Sequence, residues 1–115
     1  MNRFKLDGQL RLVIELALTA GKCDPVRLQS QENEARRLGM TGAEIDAARR
    51  GTSFDLLASL AVALAVAAAG DDPERLCEMR SRALRAGIPE EVGTEIESLA
   101  LDIVASLPKD DCRHA

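Results

Sequence analysis

Apolar residues recur along the chain in blocks whose spacing of three and four is that of a helix face. From Asp7 to Gly21 the stripe is Leu10, Val13, Ile14, Ala17 and Ala20, which predicts a first amphipathic helix ended by Gly21. Arg11 and Glu15 lie on its other side, four apart, as a solvent pair; a general base near Cys23 is the alternative role for Glu15. A second helix is predicted from Pro25 to Leu38, because Asp24 can cap it and a first-turn proline loses no N–H. Its apolar face, Leu28, Ala35 and Leu38, also contains the amide of Gln31, which needs partners if it points inward. Gly39 supplies a left-handed stop, and Thr41 with Glu44 forms a capping box that opens a third helix, about Ala43 to Arg50, stopped by Gly51.

The fourth block, LLASLAVALAVAAAG, follows Thr52-Ser53-Phe54-Asp55, a Thr-x-x-Asp start, and is apolar nearly all round. Such a helix belongs at the centre of the fold or of an oligomer. Its unbroken apolar run, Leu60 to Ala69, is about half of the ~20 residues a bilayer requires, so it is not a membrane span. Asp72-Pro73 opens a fifth helix with Leu76, Met79, Ala83 and Leu84 on one face and a stop at Gly87; Cys77 on its flank reads as a small, partly buried, inert thiol. The last helix opens at Pro89, carries Val92, Ile96, Leu99, Ile103 and Leu107, and ends at Pro108, leaving residues 109–115 as a disordered tail. The expectation is a single all-α domain, 1–115, of about six helices.

Composition narrows this further. Apolar residues make up 46% of the 115 but aromatic ones only 2%, so the core must be built from Leu, Ile, Val and Ala. A net charge of −4 argues against nucleic acid or an anionic membrane as partner, since both require a basic surface. Cys23, Cys77 and Cys112 follow no zinc spacing, and the one histidine, His114, sits in the polar tail, so neither a metal nor another cofactor is expected. The N-terminus MNRFKLDGQ has no apolar signal segment, and a reduced, cytoplasmic protein is the expectation. Cys23 alone has a chemically suggestive place. Just ahead of a helix start, free N–H groups and the macrodipole favour an anion and so a thiolate.

Two steps of the sequence echo one another: Ala35-Arg-Arg-Leu-Gly39 leading to Glu44-Ile45, and Ala83-Leu-Arg-Ala-Gly87 leading to Glu91-Val92. Taken with the Asp before a long Ala/Leu helix, they give a chain that, from about Leu10 to Leu107, resembles the carboxymuconolactone decarboxylase and alkylhydroperoxidase D family. The resemblance implies an all-α bundle, assembly as a trimer or hexamer, and a C-x-x-C-x-x-x-H motif at the start of the second helix that reduces peroxides. Here that motif is altered. Counted back from Gly39 its positions hold Asp24, Arg27 and Gln31, and counted forward from Cys23 they hold Cys23, Val26 and Ser30. The family's glutamate, three turns earlier, falls on Arg11 or Leu12.

A dithiol cycle is therefore not available to this chain alone. The resemblance implies an alkylhydroperoxidase-like protein in which Cys23 acts as a single peroxidatic or sensing thiol, with a hydroperoxide as substrate and an external thiol as reductant. Asp24, Arg27 and Gln31 are its candidate substrate-binding residues; the plainer reading of these three is a capped helix with a short ion pair. The alternatives are a non-catalytic homo-oligomeric helical module and a thiol-independent, decarboxylase-like enzyme.

Overall fold

Six helix starts and stops follow from the residues that sit at them. The computed structural model describes residues 4–20 and 25–107. Helix α1 (Gly8–Thr19) begins where Asp7 Oδ1 accepts the Leu10 N–H at 2.8 Å. Helix α2 spans Pro25–Arg37, and α3 (Gly42–Arg49) opens on a complete capping box. In that box Thr41 Oγ1 accepts from Glu44 N–H at 3.2 Å, while the Glu44 carboxylate accepts from Thr41 N–H at 2.8 Å. Asp55 caps α4 (Leu56–Ala69), Asp72 caps α5 (Pro73–Ala86) with Pro73 in its first turn, and Pro89 precedes α6 (Glu90–Ser106). Among the described residues there is no strand, and no helix is long and apolar enough to cross a membrane.

The glycine stops work by one mechanism. Gly39 and Gly87 have φ of 91° and 111°, a region that costs a side chain about 1–2 kcal/mol. That turn lets the next residue donate back five positions, Met40 N–H to Ala35 O and Ile88 N–H to Ala83 O, both at 2.9 Å. All four of these side chains are buried, which seals each turn to the core. At the third stop Thr52 N–H donates to Ala47 O at 3.0 Å in the same way. Thr52 thus finishes α3 instead of starting α4, and the expected Thr-x-x-Asp start reduces to Asp55, whose Oδ1 accepts from Leu57 N–H at 3.1 Å.

Helix α4 is the centre, packed against α1, α5 and α6. Its Ala61, Val62, Leu64 and Ala65 are buried against Ile14 and Leu16 of α1 and Ile96 and Ala100 of α6 within one continuous core. Each large aliphatic side chain so enclosed stabilises the fold by about 1.5–3 kcal/mol. Helix α3 lies on α1, and α2 packs mainly on α1 as well. Helix α2 is therefore an outer layer, held through one face.

Three expectations about which residues face inward need correction. On α1 the buried set is Leu10, Leu12, Val13, Ile14, Leu16 and Thr19, with Ala17 and Ala20 only half-buried, because four helices surround α1 and bury more than one stripe. On α5 Leu84 is 53% exposed, since α4 and α6 cover only the Met79–Ala83 line. Cys77 is exposed rather than partly buried, for the same reason. Gly21, the Asp24 cap, the Pro108 stop, Cys112, His114 and the expected disordered tail 109–115 lie outside the described residues.

Candidate functional site

The first two turns of α2 face the last two turns of α1, and the polar residues of the two helices meet there. Gln31 is 4% exposed and Thr19 1%, and they are the two buried polar side chains of the described chain. Gln31 Nε2 donates to Glu15 Oε2 at 2.7 Å and to Thr19 Oγ1 at 3.0 Å. The Thr19 hydroxyl in turn donates to Glu15 O at 2.7 Å, which leaves its oxygen to accept from the amide. Arg27, one turn before Gln31, places Nε 3.7 Å from the same Glu15 Oε2. One carboxylate oxygen from α1 thus receives both an amide and a guanidinium from α2.

This network fixes the orientation of the amide. A carboxylate can only accept here, so the group beside it must be the NH2, and both of its protons are spent. The remaining atom, Gln31 Oε1, is buried and accepts no hydrogen bond from the described residues. An unpaired buried acceptor costs about 1–3 kcal/mol, which a donor reaching it through a small side-chain shift would recover. A depression of about 410 Å³ runs past these residues, with Leu12, Ser30 and Arg37 on its walls. What Gln31 can offer a ligand is therefore an acceptor, beside a carboxylate already partly neutralised by Arg27.

Of the sequence-derived candidates, Arg27 and Gln31 are brought together through Glu15, while Cys23 and Asp24 lie outside the described residues. Motif counting placed an acid-bearing position on Arg11 or Leu12; the carboxylate that meets Arg27 and Gln31 in the structure is that of Glu15. Thr19 was also missed. Its one sequence signal is its place four residues after Glu15, on the same side of α1. Among the described residues no three His, Cys, Asp or Glu side chains are grouped so as to hold a metal ion.

On the outer side of α2 the charges pair with one another. Arg37 donates two hydrogen bonds to Glu34, which hold the Glu34 carboxyl below its ordinary value and raise the Arg37 guanidinium. Glu32 is shared by Arg36 at 3.3 Å and Arg49 of α3 at 3.7 Å. These exposed pairs read as a solvated charge surface. Compared with protein-family models, with curated proteins and with solved structures, the chain matches none.

Proposed function

We propose that this chain is an alkylhydroperoxidase-like helical protein whose chemistry rests on one thiol, Cys23, reacting with a hydroperoxide and restored by an external thiol. The observation that carries the reading is the buried, unfilled acceptor Gln31 Oε1 beside Glu15, midway along α2. A hydroperoxide has an O–H donor that this acceptor can hold, whereas an anion would find the amide protons already spent. Cys23 precedes Pro25, the first residue of α2, by two positions, and Gln31 follows Cys23 by eight, so in the sequence the thiol and this acceptor belong to the N-terminal half of one helix and the approach to it.

The reaction balances with one thiol. The Cys23 thiolate attacks the outer oxygen, the O–O bond breaks, and the alkoxide leaves and takes a proton from water, giving a sulfenic acid and an alcohol. A first external thiol condenses with the sulfenic acid to a mixed disulfide and water. A second releases the Cys23 thiol as an external disulfide forms. Glu15, paired with Arg27, acts here to hold Gln31 in place; an amide at position 31 cannot relay a proton as an imidazole would. A reducing, cytoplasmic setting and assembly as a trimer or hexamer complete the proposal. Light scattering with refractive-index detection tests the assembly, and a species of one chain mass would count against it.

The thiol reading is tested by the alkylation rate of Cys23 against pH, with Cys77 and Cys112 as internal references in the same molecule. An apparent pKa well below ~8.5, with loss of labelling and gain of one oxygen after cumene hydroperoxide, is the expected result. In Gln31→Leu the oxidation should slow at least tenfold while the alkylation pKa stays in place. A Cys23 that titrates like Cys77 and resists the peroxide would end the thiol reading.

A further inference from the structure

A second concave site lies away from the Glu15–Gln31 cluster, between α1, α4 and the turns that follow α3 and precede α5. It encloses about 650 Å³, within the range of small-molecule sites. Its floor is aliphatic, formed by Ala17 of α1 and by Ala63, Val66 and Ala67 of α4. Val66 is 45% exposed there, an apolar side chain open to solvent on the most apolar helix of the chain. The rim is different. Arg49, Arg50 and Arg75 all line it, a cluster of cations on a protein of net charge −4.

These arginines are poorly neutralised. Arg49 Nε is buried and donates to nothing among the described residues, and its one ion pair, at 3.7 Å, is to a carboxylate that Arg36 approaches more closely. Arg50 and Arg75 form no side-chain ion pair among the described residues. The acids on the same rim are Asp71 and Asp72, and Asp72 Oδ1 is occupied by the N–H groups of Glu74 and Arg75. The Arg50 and Arg75 guanidinium forks, with unused donors beside an aliphatic floor, match a carboxylate that carries a hydrocarbon body.

We propose that this groove binds an aliphatic carboxylate, its head between Arg50 and Arg75 and its chain along Ala63, Val66 and Ala67. The site is independent of the Cys23 reading. The test is a titration of the full ¹⁵N-labelled chain with octanoate below its micellar range, read on the amides of Gly51 and Gly70, which line the groove. Saturable shifts at these amides are expected, with octan-1-ol and inorganic phosphate each binding at least tenfold more weakly. The double variant Arg50→Gln/Arg75→Gln should lose at least tenfold in octanoate affinity, and Arg75→Gln alone should lose part of it if the double variant does not fold. Equal binding of octanol would remove the role of the arginines, and equal binding of phosphate that of the aliphatic floor. Either result, an unaffected variant, or shifts centred elsewhere would overturn the proposal.

Discussion

Gln31 Nε2 reaches Glu15 Oε2 at 2.7 Å across sixteen residues of sequence, and this hydrogen bond is the shortest of the polar ties between α2 and α1, beside Gln31–Thr19 at 3.0 Å and Arg27–Glu15 at 3.7 Å. Helix α2 packs mainly on α1 and buries only Ala35 beside Gln31, so these polar ties carry a large share of its docking.

Replacing that amide by an acid should expose the tie to pH. In Gln31→Glu two carboxylates meet beside Arg27, so one folded-state pKa rises above its unfolded value. The variant should be less stable than the native chain by about 1–3 kcal/mol at pH 7. The deficit should shrink as pH falls through the raised pKa, where the folded state takes up a proton first, and should be small once both states are protonated. Urea unfolding followed by circular dichroism measures it, since the chain has no Trp or Tyr. A deficit that stays constant from pH 7 to pH 4 would mean the two carboxylates do not interact.

Two glycines should respond in opposite directions to alanine. Gly39→Ala has room, with nothing within 4 Å of its Cβ, but its φ of 91° penalises the side chain by about 1–2 kcal/mol. Gly93 sits inside α6, where a Cβ would rest 3.7 Å from Leu64 Cδ2 in ordinary contact. Gly93→Ala should stabilise by about 0.5–1 kcal/mol, through the helix preference alone. Denaturation midpoints of the two variants should fall on either side of the native one.

Leucines of similar appearance in the sequence should differ sharply. Leu64→Ala opens a hole at a site 1% exposed, with an expected loss of about 2–5 kcal/mol, a large part of a typical domain's stability. Leu84→Ala, on the exposed flank of α5, should stay within about 0.5 kcal/mol of the native chain. Similar losses for the two would contradict the facing of α5.

The Glu34 carboxyl should titrate below the ordinary glutamate range, because Arg37 donates hydrogen bonds to its charged form. A depressed folded pKa means that its small contribution is present above the unfolded value and is lost as pH falls through the folded one. Carboxyl-resolved NMR titration should show the low midpoint, and Arg37→Ala should return it to the ordinary value.

Helix ends were legible in the sequence and helix faces were only partly so. Gly39, Gly51, Gly87, the Thr41–Glu44 box and Asp72-Pro73 act on backbone groups within six residues of themselves, so local chemistry decides them. Glu15 shows the limit. By angle it belonged to solvent with Arg11, yet α2 lies over that side of α1 and turns it into the partner of Gln31 and Arg27. Its role depends on where a second helix docks, which no spacing along α1 encodes. The inward placement of Gln31 could be read, because it shares the stripe of Leu28 and Ala35; its acceptor-only availability could not, since that follows from Glu15 and Thr19.

The three glycine stops bear on the order in which the molecule assembles. Each closes a loop of only six residues, so little chain entropy opposes it and the reversal after α2, α3 and α5 can be chosen before distant parts of the chain meet. What must then be found by search is chiefly how α1 and α4, each touching three or more helices, come to lie side by side. The chain thus commits early to its direction changes and late to its core.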